Sequence, residues 1–137
     1  MLKSLLIKNF ILIDEALLNF QKGFNVLCGE TGAGKSIIIK ALDCALGAKV
    51  SKEMILDNSK PAYIEAVFEV DNDELTLSRE ITSTSKFRIN GMLSNLDEIK
   101  EKREFLAEYK YRFDVGSGYQ LGFLFFLLFH QGLITSR

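Results

Sequence analysis

The amino-terminal part of the chain alternates short apolar runs with polar breaks, a pattern typical of β-strands. Residues 5–7 and 16–20 predict two strands joined by a connection at Asn9–Glu15. After a turn at residues 21–23, the run Phe24–Cys28 predicts a third, short and buried strand. We therefore expect a strand-rich start in which residues 24–28 lead directly into the next element.

The spacing of apolar residues changes from strand-like to helical after residue 36. It predicts a helix that begins near Lys35 and ends before Gly47, a residue suited to a helix C-cap. The residues expected to face the core of the protein are Ile38, Ala41, Leu42, Ala45 and Leu46.

Beyond this helix the pattern returns to the period of two that marks a strand with one buried face. Residues 63–70 alternate in this way, and a turn at Asp71–Glu74 separates them from a second alternating run at residues 75–81. A polar loop at Thr82–Ser85 leads to a third strand through residues 87–89, which stops at Asn90-Gly91. This part of the chain therefore predicts an antiparallel meander.

A capping box marks the start of a second helix. Asn95 is followed three residues later by Glu98, and the helix is expected to run to about Tyr111. The charged run Asp97–Glu104 is most simply its solvated face. The inward residues are predicted to be Leu96, Ile99, Leu106 and Tyr109.

Between the strand at 24–28 and the first helix lies the strongest chemical signal, because residues 29–36 fit the pattern G-x-x-x-x-G-K-[ST]. Glycines let backbone N–H groups approach phosphate oxygens closely, and the helix start adds unpaired N–H groups and the positive end of a dipole. Lys35 would contact the β- and γ-phosphates, and the Ser36 hydroxyl would coordinate Mg²⁺. The candidate nucleotide site is Gly29, Glu30, Thr31, Gly32, Ala33, Gly34, Lys35 and Ser36.

Composition narrows the class of protein. The chain has 137 residues, of which 47% are hydrophobic and 26% charged, with a net charge of −1. This suits one globular lobe and gives no overall basic field for nucleic acid or an anionic membrane. Cys28 and Cys44 lack metal-site spacing and are expected to be buried packing residues. Charged residues from Lys8 onward interrupt the apolar amino terminus, so an export signal is not expected and the predicted location is cytoplasmic.

Several segments together resemble the amino-terminal head of the RecN family of bacterial DNA repair proteins, which is similar to the ATPases of structural maintenance of chromosomes. They are Leu6–Phe10, Gly23–Leu27, the loop Gly29–Ser36 with Ile37–Ile39, Ile64–Phe68, Arg79–Ile81 and Arg88–Gly91. The resemblance implies an α/β fold: a P-loop NTPase and partial ABC-type ATPase head at residues 1–113, comprising the first lobe with its antiparallel β subdomain. It also implies ATP as ligand, a second ATPase head as partner in a homodimer, DNA contact in recombinational repair of double-strand breaks, and no membrane.

Other parts of such a head are not found in the sequence. A strand ending in Asp-Glu, the signature motif, the coiled-coil heptads and the second lobe are missing, so no catalytic residue is assigned. Glu69 and Asp71 also follow an apolar run, as catalytic carboxylates would. They belong to the predicted meander, however, which should face away from the catalytic strands, so they are not assigned that role. In relatives a glutamine after the second helix reaches Mg²⁺, and Gln120 is a weak candidate for that role.

Residues 114–137 diverge from the resemblance, and the run 121–129 is apolar yet too short to span a membrane. We expect a foreign tail, produced by a shifted reading frame or an interrupted gene. Besides an ATP-binding repair ATPase, two alternative functions remain open. One is a truncated product without function, and the other is a small P-loop kinase or GTPase, because the loop by itself does not select ATP over GTP.

Overall fold

The computed structural model describes residues 2–20 and 32–113 of the chain. These ranges form six strands and two helices, with a single 3-10 turn at Lys52–Met54. The strands are β1 (Leu2–Phe10), β2 (Ile13–Asn19), β3 (Ala62–Val70), β4 (Asp73–Ile81), β5 (Ser85–Ile89) and β6 (Met92–Ser94). The helices are α1 (Gly32–Ala45) and α2 (Leu96–Phe113).

All six strands belong to one antiparallel sheet in the order β2-β1-β3-β4-β5-β6. The predicted amino-terminal hairpin and the predicted meander are therefore a single layer, joined where β1 pairs with β3. In this register Leu5 lies opposite Ala66, and Ile7 lies opposite Ile64. Since all four side chains are buried, the pairing aligns the apolar faces of the two segments.

The first hairpin turns at Ile11 and Leu12, so the predicted connection at Asn9–Glu15 was too long. Asn9 belongs to β1 and is buried, although its φ is 55°. Its side-chain amide donates to the carbonyls of Asp57, Lys60 and Pro61 at 2.9, 2.9 and 3.1 Å, and its Oδ1 accepts from the Asp57 N–H. A residue whose polarity suggested a loop is therefore buried because a distant segment supplies its hydrogen bonds.

Three later hairpins, β3–β4, β4–β5 and β5–β6, confirm the meander. The β3–β4 turn is limited to Asp71 and Asn72, both with positive φ, as a tight hairpin turn requires. The turn at Asn90 and Gly91 also has positive φ at both residues, and the short strand β6 that follows it was not predicted.

The buried face of the sheet packs against α1, which contacts β1, β3 and β4. The predicted periodicity of α1 is confirmed, although Ile38 is only half-buried. The buried apolar residues of the helix and its last turn are Ile39, Ala41, Leu42, Cys44, Ala45 and Leu46. The prediction that Cys44 is a packing residue is also confirmed, whereas Cys28 lies outside the described residues.

The predicted Asn95 cap at the start of α2 is confirmed, and Glu98 reaches back to the side chains of Asn95 and Ser94. The Glu98 N–H donates to Oδ1 of Asn95 at 2.9 Å, and the Glu98 carboxylate accepts from the Asn95 amide and the Ser94 hydroxyl. Ile99 and Leu106 are buried as predicted, but Leu96 remains 38% exposed. The side chain of the fourth predicted inward residue, Tyr109, lies outside the described part of the chain.

Candidate phosphate-binding site at the start of helix α1

Helix α1 begins inside the glycine-rich motif. Its first residue is Gly32 rather than a residue near Lys35, so residues 32–36 of the motif form the first turn. The first backbone N–H groups of an α-helix have no acceptor within the helix, and they carry the positive end of its dipole. N–H groups in such a position can bind an anion, which is the role that the sequence predicts for the motif.

Only part of the candidate site can be compared with the structure. Gly29, Glu30 and Thr31, together with the predicted strand at residues 24–28, lie outside the described residues. The same holds for the side chains of Lys35 and Ser36, and for Gln120 with the whole segment 114–137. Their assignment therefore stays a prediction.

The opposite end of α1 is closed by backbone hydrogen bonds. The Gly47 N–H donates to the Cys44 carbonyl, and the Ala48 N–H donates to the Asp43 carbonyl, each at 3.1 Å. With Gly47 at a φ of 101°, this is the arrangement that ends many helices at a glycine. The prediction of Gly47 as a C-cap is confirmed.

A buried arginine adds a second set of contacts at this end. Arg79 of β4 is only 6% exposed, and its Nη1 donates to the carbonyls of Cys44 and Ala48 at 2.9 and 2.5 Å. Its Nε donates to the Ser85 hydroxyl at 3.0 Å, and its Cζ lies 4.6 Å from the centre of the Phe87 ring. The guanidinium thus joins the end of α1 to β4 and β5.

Sequence reasoning missed this role, although a signal was present. Arg79 occupies a position of the alternating run that otherwise holds Leu75, Leu77 and Ile81, so the strand period by itself directs it inward. A cation at a core-facing position needs partners, and the carbonyl groups at a helix C-terminus are suitable ones.

Burial controls the electrostatics around this arginine. It lowers the pKa of Arg79, while the Cys44 thiol and Asp43 act in the opposite direction. Burial also raises the pKa of Asp43, although Arg103 and Arg79 oppose the shift. The pKa of the Cys44 thiol is raised to about 11, again mainly by burial. Thiols react as thiolates, so this cysteine is an inert packing residue rather than a nucleophile.

One cleft among the described residues lies away from the motif. It has a volume of about 650 Å³ and lies between the segment that follows α1 and the β4–β5 loop, with Ser51, Lys52, Lys60 and Thr84 in its lining. At 1.5 Å of rise per residue, the two ends of the 14-residue α1 are about 21 Å apart. The cleft is near the C-terminal end and contributes nothing to a phosphate site at the other end.

Within residues 2–20 and 32–113 there is no cluster of three or more His, Cys, Asp or Glu side chains arranged to hold a metal ion. A Mg²⁺ ion bound with nucleotide does not require one, since it takes most of its ligands from phosphates and water. In the same part of the chain no helix has the length and apolarity needed to cross a membrane.

The fold and the position of the motif define a class of protein, the P-loop ATPase heads of the ABC type, of which this chain forms part. A solved SMC ATPase, studied for ATP-driven dimerization and DNA-stimulated activation, matches with a TM-score of 0.63 and 25% sequence identity. The match covers 73% of this chain and 75% of that chain. A family model described as AAA domain matches residues 4–134, and the chain belongs to this family.

The particular relatives are DNA repair proteins named RecN. The chain is 35% identical over 129 residues to RecN of Synechocystis sp. and 44% identical over 124 residues to RecN of Rickettsia prowazekii. Each match covers 79% of this chain but 22% of the relative, so the chain spans about a fifth of the length of these proteins. The resemblance seen in the sequence is confirmed.

Proposed function

We propose that this chain is the ATP-binding part of a RecN-like ATPase head and that it binds ATP with Mg²⁺ at the start of α1. The observation that carries the proposal is the start of α1 at Gly32, within the glycine-rich motif. Free N–H groups at that point can solvate phosphate oxygens in place of water. The similarity to RecN and to an SMC ATPase supports adenine as the base.

The roles of the individual residues follow from the motif. Gly29, Gly32 and Gly34 let the backbone approach the phosphates, and the N–H groups of Glu30, Thr31 and Ala33 complete the loop. Lys35 supplies the charge that faces the β- and γ-phosphates. Ser36 contributes the hydroxyl for Mg²⁺, with Gln120 as a second, weaker candidate ligand.

We assign binding rather than catalysis to these residues. Hydrolysis in such heads needs a carboxylate to orient water and a second head to face the γ-phosphate, and no residue of this chain takes the first role. By analogy with the SMC ATPase and with RecN, we further propose a second ATPase head and DNA as partners in repair, and a cytoplasmic location.

The test is the affinity of the chain for ATP, measured by isothermal titration with Mg²⁺, in wild type, Lys35→Ala and Lys40→Ala. Lys40 is a matched control because it is an exposed lysine on the same helix, beyond the first turn. Lys35→Ala should bind about 10- to 100-fold more weakly, the loss expected for a charged hydrogen bond of roughly 1.5–3 kcal/mol. Lys40→Ala should bind like wild type.

Equal affinities for wild type and Lys35→Ala would contradict the proposal and favour a product without nucleotide function. Competition by GTP at concentrations where ATP does not compete would instead favour a GTPase-like protein. Adding EDTA should weaken ATP binding in wild type but much less in Ser36→Ala, because that variant lacks the hydroxyl proposed for Mg²⁺.

A further inference from the structure

We propose that Arg79 is a positioning residue for the phosphate-binding loop: by attaching the C-terminal end of α1 to β4 and β5, it sets where the N-terminal end of the helix lies. The inference rests on the proposed ATP-binding function of that end. It goes beyond the motif, because Arg79 lies far from it along the chain and on a different element.

The geometry of α1 transmits a constraint from one end to the other. An α-helix of 14 residues is a stiff rod about 21 Å long, so a small tilt about its fixed end displaces the free end by several ångströms. Arg79 holds this end at the carbonyl of Cys44, in the last turn of α1, and at the carbonyl of Ala48, just beyond the helix. The first turn, residues 32–36, is the end that such a tilt would move.

The guanidinium itself is held in place. Its Nε donates to the hydroxyl of Ser85, and its plane lies over the ring of Phe87, both on β5. Three donor contacts and one ring contact leave a planar group little freedom. These contacts therefore fix the end of α1 relative to two strands of the sheet, β4 and β5, and not only to one flexible side chain.

Burying an arginine at this inward position costs desolvation free energy unless its N–H groups find hydrogen-bond acceptors. Among the described residues no carboxylate lies within ion-pair distance of Arg79, and its acceptors are the carbonyls of Cys44 and Ala48 and the hydroxyl of Ser85. An apolar residue would avoid the desolvation cost and extend the core between Leu77 and Ile81. What an apolar residue cannot do is direct hydrogen bonds to the end of α1.

The experiment compares wild type with Arg79→Met, Arg79→Lys, Ser85→Ala and Leu106→Ala, all in the 137-residue chain. Leu106 is buried on α2, so its truncation destabilises the fold without touching the attachment of α1 to β4 and β5. Two quantities are measured where each variant is folded. One is the affinity for ATP with Mg²⁺, and the other is hydrogen exchange of the amides of α1, β3 and β4 without nucleotide.

We expect Arg79→Met to bind ATP about tenfold or more weakly and to exchange faster throughout α1, because small misplacements of binding groups have effects of this size. Arg79→Lys should recover only part of the affinity, since an ammonium can still donate to the two carbonyls but loses the guanidinium contacts with Ser85 and Phe87. Ser85→Ala, which keeps Arg79 but frees its Nε, should be about threefold weaker. Leu106→Ala should keep wild-type affinity, and any faster exchange in α1 should be matched by the amides of β3 and β4, because easier global unfolding exposes all of them alike.

Several outcomes would overturn the inference. They are an affinity loss in Arg79→Met no larger than in Leu106→Ala, unchanged α1 exchange in Arg79→Met, and faster exchange with unchanged affinity. If Arg79→Met does not fold, the Ser85→Ala variant decides the question. The inference is overturned if that variant binds ATP and exchanges its α1 amides like wild type. If wild type itself does not bind ATP, the proposed function fails instead, and α1 exchange then decides whether Arg79 holds the helix.

Discussion

The two ends of α1 are specified in different ways. At the N-terminal end, the residues that matter are contiguous, and residues 29–36 can be recognised from their order alone. At the C-terminal end, Arg79 is separated from its two carbonyl partners by 35 and 31 residues. The residues of the candidate site are thus local in sequence, whereas the helix that carries them packs through long-range contacts.

The same difference predicts how the two ends respond to substitution. The first N–H groups of a helix have no acceptor within it and form the proposed phosphate site, so changes there should affect nucleotide binding more than stability. Polar groups at the C-terminal end are satisfied within the fold and buried, so changes there should lower the free energy of unfolding, with an added loss of affinity proposed for Arg79 alone. Three predictions concern this end and the start of α2, in decreasing order of the free-energy change.

Alkaline pH should destabilise the protein through Cys44, at the C-terminal end. Its pKa is about 11 in the folded state against an ordinary value of 9.0, so below pH 9 both states keep the proton and the contribution is complete. Between pH 9 and 11 the unfolded chain loses the proton while the folded chain keeps it, which favours unfolding by about 3 kcal/mol in all.

Urea unfolding at pH 8, 9, 10 and 11, in wild type and Cys44→Ala with a reducing agent present, measures this contribution. The variant is expected to be less stable at pH 8, since it loses packing, but to decline less steeply above pH 9. Parallel declines in the two proteins would show that the Cys44 proton does not contribute.

Replacing Gly47 by alanine should cost about 2 kcal/mol of unfolding free energy, because an L-residue at positive φ costs roughly 1–2 kcal/mol and the added methyl meets a neighbour. That neighbour is Leu96, whose Cδ1 would lie 3.1 Å from the new Cβ. Gly91→Ala is the matched control. Its φ is also positive, at 83°, but nothing lies within 4 Å of its added Cβ.

We expect Gly91→Ala to cost about 1 kcal/mol, from the backbone alone. Urea unfolding of both variants separates the two contributions. Equal losses would mean that α2 yields to the added methyl, and that the C-terminal end of α1 is less tightly packed than the structure indicates.

The start of α2 shares features with both ends of α1. Its cap was predicted from a local sequence pattern, like the motif, and its hydrogen bonds are seen in the structure, like those at the C-terminal end. Asn95→Ala should lower the unfolding free energy by about 1 kcal/mol, as the Glu98 N–H loses its acceptor. Glu101→Ala, an exposed change on the same helix, should stay within about 0.5 kcal/mol of wild type. Indistinguishable urea midpoints for these two variants would refute the stabilising role of the cap.

Much of the fold could be predicted because its signals are local. The strand periods of β3 and β4, the Asn90-Gly91 turn, the Gly47 cap and the Asn95 capping box each lie within a few residues. Errors arose where a distant partner decides the outcome. Asn9 was assigned to a loop because it is polar, yet carbonyls of residues 57–61 let it lie buried within β1. The short strand β6 forms because β5 is there to pair with it.

The candidate site shows the same difference between local signals and long-range partners. The glycine-rich motif, the helix that follows it and the relationship to RecN could be recognised from the amino-acid sequence, because residue type and spacing encode them directly. The joining of the amino-terminal hairpin to the meander in one sheet, and the contacts of a buried arginine on that sheet with the far end of α1, became evident from the fold. Strand pairing and the burial of a charge depend on partners that are remote along the chain, and no local pattern of residues records which partners these are.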